Sequence, residues 1–113
     1  MAKAARKNDS VSGTFHGEHG GHIPPHDSGP ISGSIQTGSP DVFINGIPAA
    51  RKDLDYANIS DEDDNESNHT IIEGSPTVFI NNKSAAREGD QITPHRGDQI
   101  KISSGSSDVE IGN

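Results

Sequence analysis

One segment of this chain occurs twice, and that repetition constrains the fold more than any other feature. Gly38 to Arg51 reads GSPDVFINGIPAAR and Gly74 to Arg87 reads GSPTVFINNKSAAR, with ten of fourteen positions identical at an offset of 36 residues and no gap. A third, truncated copy, Gly105-Ser106-Ser107-Asp108-Val109-Glu110-Ile111, keeps the Gly-Ser start, the Val and the Ile. Its Ala-Ala-Arg would fall at position 116 of a 113-residue chain, yet Ala4-Ala5-Arg6 stands at the beginning. The third unit is therefore expected to be split, its first half at 105–113 and its second at 4–9. The complete units are read as 38–55 and 74–90. Repeats that cannot bury a face alone gain a core by packing on one another, and a split unit implies a ring in which the two ends meet.

Each unit reads as a hairpin. Gly-Ser-Pro is a turn signal, Val-Phe-Ile a short strand, and Asn45-Gly46 a two-residue turn whose positions both tolerate positive φ. Asn81-Asn82 takes that place in the second copy, and Ala-Ala-Arg returns as the second strand. Small Ala residues suit a site where three hairpins crowd one axis. Phe43 and Phe79 are the expected core residues, with Glu110 in their place in the third copy. After the Arg come Asn8-Asp9, Gly89-Asp90 and, departing from the pattern, Lys52-Asp53-Leu54-Asp55. The segments between units, 10–34, 52–69 and 91–104, read as irregular loops gathered at one end.

Composition then sets a problem of stability. Only 27% of residues are hydrophobic and 4% aromatic, with 13 Gly, 7 Pro and a net charge of −8, so there is little apolar surface to offset chain entropy. No Cys is present, which excludes disulfides. Metal ligation and docking on a partner remain as sources of stability, and six His residues favour the first. The start, MAKAARKNDS, lacks the apolar core of a signal peptide, and no apolar run approaches the ~20 residues of a spanning helix; a cytoplasmic origin is expected. An acidic chain without clustered Lys and Arg is not built to bind nucleic acid.

With these residues in view, the chain resembles the proline-alanine-alanine-arginine (PAAR) repeat proteins over nearly its whole length. Pro48-Ala49-Ala50-Arg51 is the tetrad intact; Ser84-Ala85-Ala86-Arg87 and Lys3-Ala4-Ala5-Arg6 differ in the first residue only. The resemblance implies a small all-β, pseudo-threefold cone of short hairpins, metal-stapled at its apex. Such cones sit on the blunt end of a trimeric β-helical spike, of the VgrG or phage-spike type, in type VI secretion, phage tails and phage-like particles. It implies one copy per spike trimer, a monomer when free, transient contact with the target membrane, and a position at the particle tip after assembly. It also implies zinc, usually held by three His and one Cys. Gly21-His22-Ile23-Pro24-Pro25 resembles the family's stretch that carries the Cys, with His22 in its place; His19 resembles the preceding His, and His69 and His95 the others. His26 is an alternate ligand, because Pro25-His26-Asp27-Ser28-Gly29-Pro30-Ile31 resembles a second family pattern. Imidazole ligands alone also suit iron or nickel.

Other chemistries fit less well. Asp61-x-Asp63-x-Asn65 has the alternation of a calcium loop, but Glu66 stands where that loop needs Gly, so the segment reads as a solvated acidic loop. No Gly-x-Ser-x-Gly elbow or His-Glu-x-x-His occurs, and four protein ligands would leave zinc no open position; the chain is not expected to be an enzyme. No effector domain is expected after the third unit. The three Arg residues, Arg6, Arg51 and Arg87, are expected to play a structural role, with acceptors the sequence does not name. The alternative function is a free metal-binding β-module or adhesin.

Overall fold

The computed structural model describes residues 2–15, 29–60, 66–95 and 97–112. The protein is a small all-β domain. Six strands, β2 (Ser10–Phe15), β3 (Gly29–Ile35), β6 (Tyr56–Ser60), β7 (Glu66–Thr70), β10 (Gln91–His95) and β11 (Asp98–Ile102), form one antiparallel sheet in the order β10-β11-β2-β3-β6-β7. A bridge between Ile71 and Ile92 brings the outer strands together, so the sheet nearly closes into a barrel and hides its edges.

These six strands occupy the segments expected to be irregular, and that expectation is corrected. The period-2 pattern is present but weak, because the inward positions carry isolated Ile, Val and Ala between Ser, Asn and Lys. In β11, Asp98, Ile100 and Ile102 are buried while Gln99 and Lys101 are exposed; in β6, Ala57 and Ile59 are buried. Ile31, Ile35, Ile59, Ile71, Ile92, Ile100, Ile102 and Val11 fill the barrel. β-branched residues fit the pleated surface, and closure lets a few of them make a full core.

Three short hairpins connect or close this sheet. β4 (Phe43–Ile44) pairs with β5 (Ile47–Pro48), β8 (Phe79–Ile80) with β9 (Lys83–Ser84), and β1 (Ala2–Lys3) with β12 (Glu110–Ile111). The last pair joins residues from the two ends of the sequence, as the split unit requires. The turns have positive φ at Asn45 (56°), Gly46 (74°), Asn81 (53°) and Asn82 (68°), the signature of the hairpin turn read from the sequence. Because β2, β6 and β10 run one way and β3, β7 and β11 the other, the Ala-Ala-Arg units all enter and leave at one end of the barrel.

At that end the units bond in a cycle. Ala5 N–H donates to the Ala86 carbonyl, Ala86 N–H to Ala50, and Ala50 N–H to Ala5, each at 3.0 Å. So close an approach of three backbones admits only a methyl side chain, and all six alanines, 4, 5, 49, 50, 85 and 86, are fully buried. They form two layers: Ala5, Ala50 and Ala86 join the barrel core, while Ala4, Ala49 and Ala85 pack with Ile80 and Ile111 in a second cluster beneath it. The glycine that opens each unit is dictated by contact. A Cβ at Gly38 would lie 2.7 Å from Pro48 Cβ, at Gly74 2.7 Å from Ser84 Cβ, and at Gly105 2.8 Å from the Ala4 carbonyl oxygen.

Phe43 and Phe79 are not core residues. They are 54% and 59% exposed, because the hairpins turn their neighbours inward: Val42, Ile44 and Ile80 belong to or pack against the second cluster, and alternation sends each Phe to the opposite face.

Candidate metal centre and the arginine ring

The barrel interior changes character along its length. Toward the turn joining β10 and β11, the inward positions become Ser67, His69, His95 and Asp98 instead of Ile. His69, His95 and Asp98 are buried, His95 with only 3% of its surface exposed. A bulge between Ile92 and His95 shifts the register of β10 and aims His95 at His69. The two imidazoles meet edge to face, with ring centroids 5.1 Å apart.

The hydrogen bonds orient His69. Its Nδ1 lies 2.9 Å from the Thr93 carbonyl oxygen, which can only accept, so the proton sits on Nδ1 and Nε2 is an acceptor. Thr93 Oγ1 lies 3.0 Å from the same Nδ1. Nε2 is 3.1 Å from His95 Nδ1 and 2.6 Å from Ser67 Oγ. Burial pushes the His69 pKa below its ordinary 6.5, the neighbouring His95 adds to this, and the bond to Thr93 opposes it. A neutral imidazole with its lone pair directed inward is the form a metal takes.

This geometry fits the metal that the resemblance implies. Two nitrogens bound about 2.05 Å from one tetrahedral ion lie about 3.3 Å apart, close to the observed 3.1 Å. A second ring nitrogen bonded to a backbone carbonyl is the usual support of a ligating His. Among the described residues, no group of three or more His, Cys, Asp or Glu is placed to hold a metal. His69 and His95 are brought together; His19, His22 and the alternate His26 lie outside the described residues, as does the acidic run at 61–65. Ser67 Oγ against His69 Nε2 has the spacing of a Ser–His pair, but the imidazole is backed by the Thr93 carbonyl where a triad would place a carboxylate.

At the other end, the three arginines find one kind of acceptor. Arg6, Arg51 and Arg87 pair with Asp9, Asp55 and Asp90 at 3.0, 2.8 and 2.9 Å. Each Asp also accepts from the backbone N–H of its Arg, and these bonds hold each guanidinium pKa above its ordinary value against the opposing effect of burial. The middle copy, which departs in sequence, absorbs its extra residue: Asp53 takes the positive φ (66°) that Asn8 (76°) and Gly89 (95°) take elsewhere. The Arg to Asp spacing of three, four and three residues is the sequence signal for these pairs.

The serine of each Gly-Ser start was also missed. Ser39, Ser75 and Ser106 are fully buried. Each accepts backbone N–H bonds from residues two and three positions on and reaches into the next unit: Ser39 to Asn81 Oδ1, Ser75 to the Gly112 carbonyl, Ser106 to Asn45 Oδ1. Asn81 and Asn45 answer with amide bonds to Asp41 and Asp108, both 2.8 Å.

The PAAR motif family model matches residues 18–93 and 61–113. The chain belongs to the PAAR motif family. Modules of this family are structural and non-catalytic, and the site is read accordingly as a candidate metal centre rather than an active site. No curated protein matches the chain.

Proposed function

We propose that this PAAR module caps the trimeric β-helical spike of a contractile injection machine, as a pseudo-threefold cone with one copy per spike trimer. The observation that carries the reading is the cycle of equivalent hydrogen bonds among three units of one chain, since a single copy then offers each spike subunit a similar surface. Phe43, Phe79, Val78 and Val109 stand exposed on the hairpins of those units, and solvent-facing aromatics grouped at one end favour a partner. The extents of 48 × 24 × 22 Å suit a pointed element that concentrates force on a membrane.

At the opposite end, His69 and His95 would hold one ion, zinc or else iron or nickel, with His19 and His22, or His26, as further ligands. The ion would fasten loops where the apolar core has run out. The protein would be made in the cytoplasm, join the particle tip, and touch the target membrane transiently during delivery.

Mixing the protein with a trimeric spike protein and following co-elution tests the reading. The double variant Phe43→Asp, Phe79→Asp, folded as judged by circular dichroism, is expected to lose co-elution, because buried aromatic anchors dominate interface energy. Undiminished binding by that variant would place the contact elsewhere and argue against this face as the base.

A further inference from the structure

We infer that Ser67 is a metal ligand, supplying an oxygen donor in place of one of the two N-terminal histidines in a chain that has no Cys. The inference rests on the reading of His69 and His95 as a metal centre. Ser67 Oγ lies 2.6 Å from His69 Nε2 and 3.3 Å from His95 Nδ1, and the two nitrogens are 3.1 Å apart. The three donor atoms form a small triangle whose 3.1 and 3.3 Å sides match the edges of a zinc tetrahedron, about 3.3 Å for zinc–nitrogen bonds, while its 2.6 Å side is a hydrogen bond that must open by about 0.7 Å when an ion enters. With the His69 proton held on Nδ1 by the Thr93 carbonyl, Nε2 accepts, so the Ser67 hydroxyl donates to it when no ion is present. An ion entering between the three atoms takes the lone pairs of both nitrogens and of the hydroxyl oxygen. The hydroxyl coordinates as a neutral group, and His95, whose Nδ1–H otherwise donates toward Ser67 Oγ and His69 Nε2, binds as the tautomer that carries its proton on Nε2.

The placement follows from the strands. Ser67 and His69 are two residues apart in β7 and face the barrel interior together, while the bulge in β10 brings His95 opposite both. A neutral oxygen gives the centre less negative charge than a thiolate, and borderline or harder divalent ions accept oxygen more readily than soft ones do.

Cobalt(II) titrated into the metal-stripped, untagged full chain tests this, using wild type, Ser67→Ala and Ser67→Cys. Wild type should bind one ion with visible d–d bands. Ser67→Ala should bind about 10-fold or more weakly, the loss seen when even supporting groups of a metal centre are removed. Ser67→Cys carries the only thiol in the chain, and it should bind more tightly and gain a near-ultraviolet thiolate-to-cobalt band, which a merely structural role for this position would not produce. A folded Ser67→Cys that binds cobalt without that band, or Ser67→Ala binding as tightly as wild type, would overturn the assignment of Ser67 alone. Failure of wild type to bind cobalt would overturn the metal centre itself. If Ser67→Cys does not fold, the affinity of Ser67→Ala decides.

Discussion

Arg51 and Asp55 form the most enclosed of the three ion pairs, with 9% and 1% of their side chains exposed, against 16% and 8% for Arg6–Asp9 and 21% and 7% for Arg87–Asp90. Removing Arg51 leaves a carboxylate buried without its charge partner, which costs about 3–5 kcal/mol. Arg51→Ala should therefore lower stability most in urea unfolding, with Arg6→Ala and Arg87→Ala costing less because water reaches those sites. Equal losses for all three would show that enclosure does not set the energy. The histidines divide in the same manner. His69→Ala and His95→Ala should lower the melting temperature of metal-loaded protein more than the same change at His16, a histidine outside the expected ligand set, because a lost ligand forfeits folding free energy. Equal melting temperatures would remove His69 and His95 from the centre.

At the scale of the hairpins, two of the three links between units run through an Asn at a turn, and the third through the Gly112 carbonyl. Asn81 and Asn45 hold the Asp41 and Asp108 pKa values below the ordinary 3.8, with Ser39 and Ser106 adding to the effect. A depressed carboxylate pKa means that this link contributes fully above the unfolded value and is lost as pH falls through the folded one. Carbon-detected titration of Asp41 and Asp108 should give midpoints below 3.8, and Asn81→Ala should return Asp41 toward it while leaving Asp108 unchanged. A low Asp41 midpoint that persists in Asn81→Ala would mean the inter-unit bond is not its cause. The hairpins themselves were legible, since Asn45-Gly46 and the Ala-Ala-Arg strands carry strong local signals. The barrel strands were not. A strand such as Ser10–Phe15 or Tyr56–Ser60 has one or two inward apolar residues, too few to stand out from Ser and Gly until six strands share one interior. Phe43 and Phe79 misled for a related reason: size suggests burial, but the inward face belongs to their aliphatic neighbours. His69 and His95 were legible as a pair through the resemblance, whereas Ser67 carries no signal until the β10 bulge sets it against both rings.

For the molecule as a whole, three units of one chain close a ring of backbone bonds above a second apolar cluster, and the barrel rises from that ring to a polar interior. The exposed Phe residues belong to two units, while the third carries Glu110 paired in register with Lys3, so the proposed base is similar, not identical, in its three sectors. On the proposed reading, a single copy that repeats its surface three times would have no use for homotrimerisation and would match a trimeric end at once. Native mass spectrometry of the protein mixed with a trimeric spike measures this most directly. The expected result is a monomer when free and a complex heavier than the spike trimer by one 11.9 kDa chain. A stable homotrimer of the free protein, or a complex carrying three copies per spike trimer, would contradict the account.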